Sequence, residues 1–199
     1  MPAYDTLIRI DFLAAVGLLV LVPLFLLVVS LSRPRVRDRL LAYWRASALL
    51  GITVYLWIGE LAIGFGTGVA ARALIPVALW WGDGLTRYSG PSEPATDQWQ
   101  GTLFRGWRWI ASVYCIGGVL CTLPLLACVW DPSSAVCSAW YRPPQEYAQL
   151  VHPYTPWSTL VTYGKAGLAV YIVYGAATAY RFGSRDPLHP GPGNGPDTP

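Results

Sequence analysis

The apolar positions of this chain fall into long uncharged runs, not into an alternating or one-sided pattern. Phe12 to Ser32 carries no ionisable residue. At 1.5 Å rise per residue it makes a helix of roughly 31 Å, enough to cross the hydrocarbon of a bilayer. The cluster of basic residues follows this run, with Arg9 alone before it, so it reads as a retained helix and not as a cleaved signal. Four further runs extend the pattern, and the predicted helices lie at about 12–32, 44–63, 65–82, 107–128 and 157–180. The fold class expected is an all-α membrane protein, a five-helix transmembrane bundle forming one domain over residues 1–182. Pro23 predicts a kink of the kind membrane helices tolerate. The stretch Gly64-Phe65-Gly66-Thr67-Gly68 predicts a turn between the second and third helices. The third run is short, so four spans plus a re-entrant half-helix is the alternative. Pro144 to Val151 predicts a short interfacial helix opening on a proline pair. The Gly- and Pro-rich residues 183–199 predict a disordered tail.

Composition agrees with lipid as the solvent. Residues are 54% hydrophobic and 13% charged, against about 25% charged in an average soluble domain, too little to cover a soluble surface. Many of the Trp and Tyr residues stand at the ends of the apolar runs, where amphipathic rings prefer the headgroup region. Arginine placement then bears on the threading. Arg33, Arg35, Arg37, Arg39 and Arg45 follow the first helix and mark a cytoplasmic loop. With five crossings, Arg87, Arg105, Arg108, Arg181 and Arg185 join them on that side. If the third run does not cross, all five move outside. The positive-inside rule therefore favours five spans, with the N-terminus outside and the C-terminus cytoplasmic. No basic run interleaved with aromatics suggests a nucleic-acid partner; the partner expected is the lipid bilayer.

The candidate chemistry is intramembrane charge. About a turn centred on Gly66, Glu60 and Arg72 each lie six residues away, about 9 Å along their helices. Matched depth predicts an ion pair between them. An unpaired ion at mid-bilayer costs roughly 2.5–3.5 kcal/mol, and pairing offsets part of that. These charges are part of an ion, proton or substrate pathway, or they are structural, a latch locking the hairpin or an arginine that snorkels to the nearby interface; the structural reading is the simpler one. The threading brings Lys165 and Asp11, the latter capping the first helix, into the same half of the membrane as a possible polar cluster. Cys128 and Cys137, nine residues apart at the start of an outer loop, predict a disulfide. Cys115 and Cys121 face different sides of the fourth helix, so neither pairing nor metal binding follows. His152 is a weak candidate metal ligand; a lone interfacial histidine is more often hydrogen-bonded or solvated. No phosphate loop, Ser/His/Asp order or paired-histidine helix stands out. No cofactor, no metal and no enzymatic activity are expected.

Several stretches carry a resemblance. They are Tyr43-Trp44-Arg45-Ala46-Ser47, Ile52-Thr53-Val54-Tyr55-Leu56, Ala71-Arg72-Ala73-Leu74-Ile75-Pro76-Val77-Ala78-Leu79-Trp80, Trp107-Arg108-Trp109, Val113-Tyr114-Cys115 and Tyr154-Thr155-Pro156. Together they resemble a family of small integral membrane proteins of unknown function found in cyanobacteria. The resemblance covers the chain from first helix to fifth. It implies a thylakoid or plasma membrane of a photosynthetic bacterium, and no activity. Two functions are expected in competition. One is a non-enzymatic accessory or assembly protein, with a photosynthetic membrane complex as partner. The alternative is a small transporter or channel subunit using Glu60, Arg72 and Lys165.

Overall fold

A computed structural model describes residues 2–31, 34–81 and 98–183; residues 184–199 of the expected disordered tail lie outside the described residues. The first span joins α1 (Pro2–Val16), a π-helical turn (Gly17–Leu21) and α2 (Val22–Val29). Then follow α3 (Pro34–Ile58), α4 (Ile63–Trp81) and α5 (Gln98–Thr122), the last running into a 3-10 segment (Leu123–Val129). Two short helices, α6 (Ala135–Ala139) and α7 (Arg142–Val151), precede α8 (Trp157–Gly183). Among the described residues, five helices are long and apolar enough to cross a membrane: Tyr4–Val29, Val36–Ile58, Ile63–Trp81, Gly101–Val129 and Trp157–Tyr180. The fold is an all-helical, five-span bundle. The short third run is a continuous helix and no half-helix. α3 and α5 both start earlier than hydropathy indicates, α3 on Pro34, whose missing N–H costs nothing in a first turn.

α3 and α4 form the centre of the bundle. α4 packs on α3 at one side and on α5 at the other, whereas α8 leans on α3. The expected turn at Gly64–Gly68 is a correction, because these residues lie inside α4. The chain reverses earlier, at Gly59 to Ala62. There Glu60 N donates to the Trp57 carbonyl and Leu61 N to the Leu56 carbonyl, both at 3.0 Å. That pair of bonds closes a helix C-terminus and calls for a left-handed residue between them, usually glycine. Glu60 takes it, at φ 53°. Gly59 is committed elsewhere: a Cβ there would stand 2.4 Å from a Val161 methyl on α8. The α4 glycines serve packing. A Cβ on Gly64 would meet the Trp57 indole at 2.6 Å, and one on Gly68 the Thr53 methyl at 3.3 Å. One helical turn apart, they form a small-residue face that lets α3 approach. The Thr53 and Thr67 hydroxyls bond across this contact at 2.8 Å.

Pro23 shapes the first span through the carbonyls it leaves free. A proline cannot donate to the preceding turn, and a π-bulge widens the gap. The Leu19 carbonyl accepts from Tyr43 Oη at 2.5 Å and the Leu18 carbonyl from Trp107 Nε1 at 2.9 Å. The two rings stand edge-to-face at 5.0 Å within the largest buried cluster. These carbonyls are thereby satisfied by protein donors, as a water-free interior requires.

The α6–α7 end of the bundle is capped by a second cluster. The Cys128–Cys137 disulfide forms, with Cα atoms 5.8 Å apart, and ties the end of the fourth span to α6. Trp57, Phe65, Trp140 and Tyr141 pack around it. Ser134 caps α6 through the Cys137 N–H. α7, the interfacial helix expected after the proline pair, lies across α1 and α3.

Candidate functional site

Arg72 stands at the centre of α4, nine residues from either end, or roughly 14 Å from each. Its side chain is only 6% exposed. A guanidinium at that depth has to be paired, because hydrocarbon offers it nothing. The partner is Asp11 on α1, through an ion pair between Arg72 Nη2 and Asp11 Oδ2. The other carboxylate oxygen, Oδ1, accepts from the Tyr114 hydroxyl of α5 at 2.8 Å, and the same hydroxyl reaches the Asp11 backbone carbonyl at 2.8 Å. Three helices thus meet at one carboxylate. Gly118, one turn beyond Tyr114, provides the room: a Cβ there would come within 3.0 Å of Arg72 Cδ and 3.2 Å of Nε.

The expected Glu60–Arg72 ion pair is not formed. With the reversal at Gly59 to Ala62, Glu60 sits in the turn itself, exposed, and accepts from Gln145 Nε2 of α7 at 2.9 Å. The symmetry about Gly66 that matched their depths does not exist, because Gly66 is a helical residue of α4. Asp11 is likewise no cap. It lies inside α1, which begins nine residues earlier. Lys165 is exposed on α8, while its neighbours Gly164 and Gly167 face Tyr55 and Ile52 of α3. Of the four residues expected to cluster, only Asp11 and Arg72 come together.

The remaining charges at this end form a rim. Arg9 Nη2 lies 2.5 Å from Glu146 Oε1, and Arg142 Nη1 lies 3.5 Å from Asp5 Oδ2. Both pairs fasten α7 to α1. His152 does not stand with other ligand residues; its Nε2 is 3.1 Å from the Tyr55 hydroxyl. No group of three or more His, Cys, Asp or Glu with metal-site geometry occurs among the described residues. The Tyr141 hydroxyl is buried without a partner among the described residues. Burial first, then the Glu60 carboxylate, raises its pKa above the ordinary tyrosine value.

Next to the Asp11–Arg72 pair lies a cavity of about 320 Å³, between α1 and α3 and beneath α7. This falls in the range of small-molecule pockets, about 300–1,000 Å³. Its walls are mostly apolar and aromatic, with Phe12, Trp44 and Trp57 prominent, and Pro143, Pro144 and Tyr147 of α7 line the end beneath that helix. Asp11 and Arg72 supply charge, and Ser47 and Thr53 hydroxyl groups. The cavity and the roles of Tyr114 and Gly118 escaped sequence reading. The Gly117-Gly118 pair in an apolar run was the available signal, but nothing local tells which neighbour such a glycine admits.

A family described as "Protein of unknown function (DUF3177)" matches residues 5–182, most of the chain. No curated protein and no solved structure matches it. The chain belongs to this family of unknown function.

Proposed function

We propose, for this member of the DUF3177 family, a small membrane transport protein, or the substrate-holding subunit of one. It holds its substrate in the cavity beside Asp11 and Arg72. One observation carries this reading: a cavity of ligand size inside the bundle has a buried ion pair in its wall. Ionisable groups are costly in a membrane interior, and where they line a cavity they mark substrate or ion pathways. Asp11 and Tyr114 take the place that Glu60 and Lys165 had in the charge-cluster expectation. The protein is a binder without covalent chemistry. Arginine distribution supports an outer N-terminus and a cytoplasmic C-terminus, and so an outward-facing α7. The resemblance to cyanobacterial proteins supports a thylakoid or plasma membrane.

A second reading, an accessory subunit of a photosynthetic membrane complex, has its own support. α8 leans on α3 and exposes Val170, Ile172, Val173 and Tyr180, a face suited to lipid or to another membrane protein. A chromosomal deletion separates the two readings. Complementation uses wild type or the double variant Asp11→Asn/Arg72→Gln, matched for membrane abundance. Small molecules are then quantified in cells, membranes and medium. Transport predicts that at least one compound redistributes in the deletion, that wild type restores it and that the double variant does not. An unchanged distribution, with a membrane complex lost in its place, selects the accessory reading.

A further inference from the structure

We infer that the cavity takes a neutral, largely apolar, bilayer-soluble molecule with one hydrogen-bonding head group, admitted sideways between α1 and α3. The inference rests on the transport reading for its purpose, but on separate geometry for its chemistry. Three features define the ligand.

The first is the mouth. Val20 on the π-helical turn and Ala48 and Gly51 on α3 all line the cavity and are all exposed on the outside of the bundle. Gly51 stands seven residues, roughly 10 Å, from the Ile58 end of α3. That level is hydrocarbon, so the mouth opens to lipid. The outer end, by contrast, is closed by α7, which the Arg9–Glu146 and Arg142–Asp5 pairs hold against α1.

The second is charge. Asp11 and Arg72 neutralise each other, and Tyr114 takes up the second carboxylate oxygen. A charged ligand would leave one unbalanced charge in a medium that cannot solvate it. A neutral head avoids this and still finds polar groups, because Arg72 has five N–H donors and Ser47 stands in the same wall.

The third is shape. The lining of α3 runs from Trp44 to Trp57, roughly 20 Å of helix. An elongated molecule lies along it with its head at Arg72 and its body against Trp57 and Phe12. Apolar contact then supplies affinity and the polar pair supplies orientation.

The test uses the full chain in nanodiscs of zwitterionic lipid. Two probes are titrated: a dibrominated long-chain alcohol, which is neutral, and the matching dibrominated fatty acid at a pH where it is ionised. Bromine quenches tryptophan fluorescence, and Trp44, Trp57 and Trp140 line the cavity. The expected result is saturable quenching by the alcohol, with binding at least tenfold weaker for the carboxylate. Gly51→Phe closes the mouth: no protein atom lies within 4 Å of a Cβ at that position, so the ring fills the opening instead of clashing. Its thermal transition should match wild type, and its alcohol binding should fall at least tenfold. Quenching that grows linearly with probe and is the same in both proteins overturns the site. Carboxylate binding as tight as that of the alcohol overturns the neutral class, and so does a wild-type preference for the carboxylate if Gly51→Phe fails to fold. Either failure leaves a redistributed compound in the deletion strain standing as support for transport. Saturable alcohol binding without any redistribution would instead keep the ligand class and remove transport.

Discussion

The buried Asp11–Arg72 pair and the exposed pairs that fasten α7 to α1 use the same two kinds of group. Their surroundings differ. The Arg72 and Asp11 side chains are 6% and 24% exposed, whereas those of Arg9 and Glu146 are 56% and 50% exposed. Water screens the rim pairs and would solvate their members equally well apart. At mid-bilayer neither member of the inner pair has anywhere else to go, so losing one partner strands the other. The bundle interior is thus held by a contact whose strength comes from the absence of solvent. The rim relies on the disulfide and on aromatic packing, with its ion pairs as minor additions.

The largest test of that contrast is removal of one inner partner. Arg72→Ala or Asp11→Ala should destabilise by about 3–5 kcal/mol, the cost of an orphaned buried charge. The double variant Asp11→Leu/Arg72→Met should recover most of the loss. Unfolding in nanodiscs or mild detergent reads both, and single variants costing under about 1 kcal/mol would break the comparison. Next in size is the staple of the rim. Replacing Cys128 and Cys137 together by alanine should cost about 2–3 kcal/mol for a loop this short, with α6 as the region that loosens under hydrogen exchange. Smaller and opposite in sign is Glu60→Gly. The left-handed backbone costs a non-glycine residue roughly 1–2 kcal/mol, and the bond lost to Gln145 is exposed and worth less. A net stabilisation of about 1 kcal/mol is expected, while a loss would show that Glu60 does more than close the turn. Arg9→Gln or Glu146→Gln should change stability by less than about 1 kcal/mol, an effect that fades with added salt.

The smallest effect concerns the loop at Asp131, between the fourth span and α6. Its carboxylate accepts from the Ser133 hydroxyl at 2.6 Å and from the Ser133 N–H at 3.3 Å. These bonds hold its pKa below the ordinary aspartate value. The turn is therefore supported at any pH above the ordinary aspartate range, and the support is lost as pH falls through the lowered pKa. Ser133→Ala should raise the Asp131 midpoint in an NMR titration while leaving the bundle unchanged.

Much of the architecture is legible in the sequence. Hydropathy and length located five crossings, and arginine placement argued against a half-helix for Ile63–Trp81. The cysteine spacing pointed to the disulfide. The proline pair at Pro143-Pro144 marked α7. The misplaced turn and the failed Glu60–Arg72 pairing share a cause. Glycine has no side chain to declare its purpose, so a run of it reads as a turn. In α4 that run is a packing face for Trp57 and Thr53, and the true reversal falls on a glutamate because Gly59 is taken by contact with α8. Once the turn moved, the depth argument for Glu60 failed with it.

Sequence by itself determined what depends on the chain locally: which segments prefer lipid, how long they are, and that a charge at Arg72 is costly there without a partner. Tertiary structure decided which acid answers Arg72 and what opens beside it. That choice rests on the separation and rotation of α1, α3, α4 and α5. These are set by Gly68 against Thr53, by Gly118 under Arg72, and by Tyr43 and Trp107 reaching the carbonyls that Pro23 leaves free. Such contacts join residues far apart in the chain, and no local pattern of apolar and polar positions records them.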